Sequence, residues 1–199
     1  SRSDDLLGVA DIYIDDLVLW KEMDEWYALQ NPDLGRRIGS AAVRVRTLLR
    51  PATTGDRSRV GSVAWEAALA DIDATIEYAR QFGRVGVVGY CWGGSLAWLA
   101  ATRLKVDAVS SYYGGQMAQF KDEMPRCAVI AHFGENDSHI PMSDVHAIET
   151  KHPDMSVFTY PAGHGFNCEE RADFDRVSAK IARERTRSFF FAKLVEHAK

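Results

Sequence analysis

Residues 84–90 read Arg84-Val85-Gly86-Val87-Val88-Gly89-Tyr90 and run straight into Cys91-Trp92-Gly93-Gly94, after which comes Leu96-Ala97-Trp98-Leu99-Ala100-Ala101. The first segment is apolar enough to be buried on both faces, as a central strand of a parallel sheet must be. The small residues and the apolar run behind it complete a strand, a tight turn and a helix. Upstream, the stretch from Trp65 to Phe82 carries Ala67, Leu69, Ile72, Ile76 and Tyr78, a pattern that suits a helix packed on that sheet. Downstream, strands are expected at 106–112, 127–133 and 156–160, with a helix from about Met142 and a long terminal helix from about Phe174 to Glu196. Short β-branched runs alternating with longer amphipathic stretches predict an α/β architecture, a mostly parallel sheet flanked by helices. Residues 31–61, rich in Arg, Gly, Thr and Pro, show no convincing period and read as a long irregular connection with one short helix around 41–49.

The totals bound the remaining choices. A chain of 199 residues, 46% hydrophobic, is expected to form one domain spanning 1–199 with a sizeable core. Its formal charge of -4 argues against a nucleic-acid partner, since the surface lacks the basic excess that displaces counterions from phosphates. The three cysteines, Cys91, Cys127 and Cys168, are an odd number and do not suggest a disulfide framework, so a reducing, cytoplasmic setting is expected. No segment approaches the roughly 18 apolar residues of a membrane span, and Ser1-Arg2-Ser3-Asp4-Asp5 is not the start of a signal peptide. A soluble protein with no membrane partner follows.

Gly89-Tyr90-Cys91-Trp92-Gly93-Gly94 sits between strand and helix, where a nucleophile elbow belongs, with Cys in place of the commoner Ser. Flanking glycines let strand and helix approach closely enough to hold a strained turn. The head of the following helix offers amides and a positive dipole end that favour a thiolate and an oxyanion. The alternative is a structural cysteine on a glycine-rich turn. A dinucleotide-binding reading is weaker, because the glycines do not fit G-x-G-x-x-G and Trp92 would obstruct a pyrophosphate; no cofactor is expected.

An elbow nucleophile needs an acid and then a histidine on loops after later strands. Gly134-Glu135-Asn136-Asp137-Ser138-His139-Ile140-Pro141 follows one expected strand, and Pro161-Ala162-Gly163-His164-Gly165-Phe166 follows the next. Asp137 and His164 therefore complete a candidate triad with Cys91. Each has a bland alternative, a turn former for Asp137 and an exposed loop histidine for His164. Lying beyond strand ends, both are expected to carry little core packing. A metal site from His132, His139 and Asp137 matches no recognised zinc spacing, so no metal is expected.

With these residues in view, the sequence resembles the dienelactone hydrolase family, the carboxymethylenebutenolidases, which have the α/β-hydrolase fold. The resemblance rests on Val88-Gly89-Tyr90-Cys91-Trp92-Gly93-Gly94, Tyr112-Tyr113-Gly114, Gly134-Glu135-Asn136-Asp137 with Ile140-Pro141, and Ala162-Gly163-His164-Gly165-Phe166. It continues into Ala182-Arg183-Glu184-Arg185-Thr186, and is looser at 26–34, which looks like a strand leading to a Pro-Asp-Leu turn. The resemblance implies that Asp5 contacts the resting thiol, and that the amides of Leu6 and Trp92 form the oxyanion hole. Three departures stand out. The chain begins where the family has one or two strands behind it, which suggests a domain short of the usual N-terminal strands. Asp5 is one methylene shorter than the family's Glu. Cys168 stands where an arginine for a substrate carboxylate is expected, leaving Arg57, Arg59 or Arg171 as substitutes.

The expected activity is acyl transfer from a small ester or lactone, dienelactone-like with an enol leaving group, by a monomer or homodimer. Its rival is a catalytically impaired or thiol-sensing protein of the same fold.

Overall fold

The computed structural model of the chain describes residues 9–12, 44–46, 65–81 and 83–195. Six strands, β1 (Val9–Ile12), β2 (Arg44–Arg46), β3 (Gly86–Tyr90), β4 (Ala108–Tyr112), β5 (Ala128–Gly134) and β6 (Ser156–Tyr160), form one sheet in the order β2-β1-β3-β4-β5-β6. Every neighbouring pair is parallel. From β1 the sheet grows one way to β2 and the other way through β3 to β6, so the chain order reverses between β1 and β3. In open parallel sheets such a reversal opens a crevice beyond the carboxyl ends of the strands, and Cys91 leaves β3 there.

The α/β expectation holds, and the strands after Trp65 fall within two residues of their expected starts. The 31–61 connection needs a correction. Arg44–Arg46 is a strand rather than part of a short helix, in register with Val9–Asp11 of β1. Val43-Arg44-Val45-Arg46 alternates apolar and charged with a period of two, and pairing to β1 supplies the hydrogen bonds that so short a segment cannot make within itself.

Helices cover both faces of the sheet. α2 (Trp92–Arg103) is buried at every residue from Trp92 to Thr102, which is why its sequence lacks a polar stripe. α1 (Trp65–Arg80) packs over it through Leu69, Ile72 and Ile76. A 3-10 turn, Met117–Phe120, lies beside them, with the Phe120 carbonyl accepting the Trp98 indole N–H at 3.1 Å. A third helix, α3 (Met142–Lys151), joins β5 to β6. α4 (Arg176–Phe190) covers the other face. It begins later than expected because the Asp175 carboxylate caps the Ser178 amide at 2.7 Å, and it ends in a π turn at Phe191–Val195. A Cβ on Gly86 would come within 2.9 Å of both Phe190 and Leu194, so the strand glycine admits this end of the chain to the sheet. Each such side chain contributes about 1.5–3 kcal/mol on full burial. At the opposite strand ends, Asp107 accepts the Val85 amide at 2.8 Å and pairs with Arg80 and Arg84, tying α1, β3 and β4 together. Among the described residues no helix is long and apolar enough to cross a membrane.

Candidate active site

Between the end of β3 and the start of α2 stands one residue, Cys91, at φ 55° and ψ −120°. A non-glycine residue held in such a conformation costs about 1–3 kcal/mol, and the surrounding backbone enforces it. The Cys91 N–H donates to the Tyr112 carbonyl at 3.0 Å, and its own carbonyl accepts the amides of Gly94 and Ser95 at 2.9 and 3.3 Å. The flanking glycines are sterically required. A Cβ on Gly89 would sit 1.9 Å from the Gly93 carbonyl oxygen, and one on Gly94 would sit 2.4 Å from that of Tyr112. Ser111 Oγ donates to the Gly94 carbonyl, and Ser95 and Gln116 bond each other twice, clamping the head of α2 to the end of β4. Trp92 is the first residue of α2, where an amide has no carbonyl one turn back to accept it.

Two further strand ends deliver the partners. A Cβ on Gly134 would meet the Ala162 carbonyl oxygen at 2.3 Å, so the loop after β6 crosses directly over the end of β5. That crossing brings His164 to Asp137. Their Nδ1–Oδ2 separation is 2.7 Å, and Nε2 of His164 lies 3.1 Å from Sγ of Cys91. Asp137 satisfies both of its sequence readings with different oxygens. Oδ1 accepts the amides of His139 and Ile140, as a turn former does, while Oδ2 faces His164.

The expectation that Asp137 and His164 carry little packing is wrong, as is the exposed-loop alternative for His164. Both are buried, at 8% and 7% exposure. The His164 ring lies 5.2 Å from that of Tyr113 and 4.9 Å from that of His139. Tyr113 itself is held at φ 37°, its N–H donating to the His132 carbonyl at 2.7 Å, and it stacks edge-on to Phe166. Nothing in Tyr112-Tyr113-Gly114 assigns Tyr113 this task by itself; the available signal is a bulky residue directly before a glycine after a strand.

Burial pulls the His164 imidazole toward neutrality, but the hydrogen bonds and charges of Asp137 and Cys91 outweigh it and raise the pKa to about 9. Burial likewise pushes Asp137 up, and the His164 and backbone hydrogen bonds more than reverse that, leaving it below the usual carboxylate range. Cys127 lies at the far end of β5, where burial and Asp107 push its thiol up to about 12.

Of the other expected residues, Arg171 is near the site: its side chain lies against Gly165, at φ 78°, where a Cβ would come within 2.5 Å of Arg171 Cδ. Asp5, Leu6, Arg57, Arg59 and the 26–34 segment lie outside the described residues. His132 does not join a metal group with His139 and Asp137. It is fully buried, bonded to Tyr160 and Thr186. The donors that do converge are Asp137, His139 and His164, whose ligand atoms lie within 4.8 Å of one another.

A parallel sheet with a strained residue at the β3–α2 turn, and an acid and a histidine after β5 and β6, defines the α/β-hydrolase fold. Within it, the family model described as the dienelactone hydrolase family matches residues 24–194, and the chain belongs to that family. The chain is 30% identical over 200 residues to carboxymethylenebutenolidase of Pseudomonas putida, covering 93% of this chain and 81% of that protein. It is 34% identical over 131 residues to carboxymethylenebutenolidase 1 of Cupriavidus pinatubonensis, covering 61% of this chain; the match spans only 56% of that relative's length. A solved structure from Klebsiella pneumoniae, provisionally named a dienelactone hydrolase, superposes with a TM-score of 0.71 at 20% identity, over 98% of this chain and 90% of that one.

Proposed function

We propose that this chain hydrolyses small carboxylic esters or lactones through an acyl-enzyme on Cys91. The observation that carries the reading is the unbroken contact from Sγ of Cys91, through both ring nitrogens of His164, to the Asp137 carboxylate. In the first half-reaction sulfur bonds to the ester carbonyl carbon, and the proton that the sulfur has given up is held on Nε2 of His164. The carbonyl electron pair moves onto oxygen, which the Trp92 amide, together with that of Leu6, stabilises. Collapse breaks the bond to the leaving oxygen, which takes the proton from Nε2 and departs, leaving a thioester. Water then gives a proton to Nε2 as it adds to the thioester carbon; the sulfur is expelled and recovers the proton. Asp137 keeps the Nδ1 proton of His164 fixed throughout, so that Nε2 faces the sulfur.

Sulfur leaves a tetrahedral intermediate more readily than an alkoxide does, so the forward path requires an activated leaving oxygen such as an enol or phenol. The relatives' name, carboxymethylenebutenolidase, fits a carboxylated lactone of that kind. Arg171, whose side chain lies against Gly165, is the proposed contact for a substrate carboxylate, with Arg57 and Arg59 as its alternatives and Asp5 as the group that holds the resting thiol. The free cysteines fit a single domain working in a reducing, cytoplasmic compartment.

The test mixes the protein with p-nitrophenyl acetate and follows both p-nitrophenol release and intact mass. Turnover with a transient acetyl adduct on Cys91, and neither signal in Cys91→Ala, is the expected result. Undiminished turnover in Cys91→Ala would overturn the assignment.

A further inference from the structure

His139 has no part in the acyl transfer above, yet it stands over the one hydrogen bond on which that chemistry depends. Its side chain is 67% exposed, and its Nδ1 lies 3.7 Å from Oδ1 of Asp137. Oδ2 of the same carboxylate meets Nδ1 of His164 at 2.7 Å. Two imidazoles and a carboxylate thus converge at the mouth of the site, two of them buried and one open to solvent.

We propose that Asp137, His139 and His164 bind one divalent ion of the Zn²⁺ type, which replaces the proton between His164 and Asp137 and holds the site inactive. Two histidines and a carboxylate are a recognised donor set for zinc, with the fourth position left to water. Zinc bonds of about 2.0–2.2 Å in a tetrahedral arrangement put donor atoms about 3.3 Å apart. The His164–Asp137 contact must therefore open by roughly half an ångström, and the His139 ring must swing inward. That swing is available, because the ring is exposed and its Nδ1 meets its own neighbour Ser138 at 3.2 Å and the carboxylate itself. The turn survives it, since Oδ1 is held by the His139 and Ile140 amides, which do not depend on the ring.

The exchange balances: the ion bonds to Nδ1 of His164, the Nδ1 proton leaves to solvent, and the carboxylate keeps its charge. With the ion bound, Asp137 no longer fixes a proton on Nδ1, and His164 loses the orientation and basicity that proton transfer to and from Cys91 requires. Binding needs only the three donors; the loss of activity rests on the role proposed for His164.

Two readouts keep these apart. Co²⁺, whose visible absorption reports tetrahedral coordination, is titrated into the chelator-free protein, and Zn²⁺ is tested as an inhibitor of aryl ester turnover. The wild type is expected to bind one ion per chain and to lose turnover in parallel. His139→Phe should weaken binding and inhibition at least about tenfold while its metal-free turnover stays within about threefold of wild type. Cys91→Ala, expected to be inactive in turnover, should bind Co²⁺ as the wild type does. Failure of the wild type to bind overturns the proposal, as does His139→Phe binding like the wild type. Loss of binding in Cys91→Ala would put the ion between Sγ and Nε2 instead and overturns it equally.

Discussion

His132 and His164 are both buried near the carboxyl ends of the strands, at 0% and 7% exposure, yet their ionisation moves in opposite directions. Burial, joined by the Arg185 charge, drives His132 down to about 3. Burial pulls on His164 as well, but Asp137 and Cys91 carry it up to about 9. Depth therefore decides less than what takes the place of water. Around His132 the partners are hydroxyls: Tyr160 at 2.8 Å on Nδ1 and Thr186 at 3.1 Å on Nε2. Arg185 donates to the Tyr160 oxygen at 3.1 Å, which holds the phenol in place against Nδ1 of the ring. Thr186 also meets Ser110 and Tyr112, which saturates one hydroxyl. A neutral imidazole is satisfied there and a cation is not. At His164 the carboxylate inverts that preference, so one ring fastens α4 to the sheet while the other favours its protonated form.

The largest consequence should appear in turnover. His164→Ala is expected to lower hydrolysis of an aryl ester by roughly a thousandfold or more, whereas His132→Phe should lower it by less than about tenfold. Comparable losses in the two variants would mean that the histidines do not differ in kind.

Stability against pH separates them next. The folded value of His164 lies above its ordinary 6.5, so its contribution is complete below 6.5 and disappears as the pH rises through about 9. His132 lies below 6.5, so its contribution is present above 6.5 and is lost as the pH falls toward about 3. Asp137, held below its usual range, adds to the acid limb. Melting temperatures measured from pH 4 to 10 should therefore show a flatter alkaline limb in His164→Ala and a shallower acid limb in His132→Phe. Unchanged limbs in both variants would contradict the charge assignment.

The smallest effect tests the fastener directly. Thr186→Val removes the hydroxyl shared by Ser110, Tyr112 and His132 and should cost about 1–3 kcal/mol in urea unfolding, with turnover within about threefold of wild type. A collapse of turnover at unchanged stability would show that the network acts on the chemistry instead.

Much of the site was legible in the sequence because its signals are local. The strand–turn–helix around Cys91 follows from an apolar run and glycines whose missing Cβ atoms permit a 1.9 Å-scale conflict to be avoided. Asp137 and His164 were found by their places just past β5 and β6. β2 was misread because three residues hold too little periodic signal, and only β1 makes them a strand. The packing around His164 was not legible because its neighbours Gly163 and Gly165 give no hint of Tyr113, which arrives from β4 to cover it. His132 drew notice only as a metal candidate, since its hydroxyl partners come from β6 and α4.

The sequence by itself determined the α/β alternation, the tight turn at Cys91 and the places of Asp137 and His164 just past later strands, because each is written in the period and backbone demands of contiguous residues. Only the tertiary structure decided which histidine holds a proton, which oxygen of Asp137 serves the turn and which serves His164, and that His139 joins them. Those outcomes depend on distances between loops remote in the chain, and Coulomb and desolvation energies are set by separation in space.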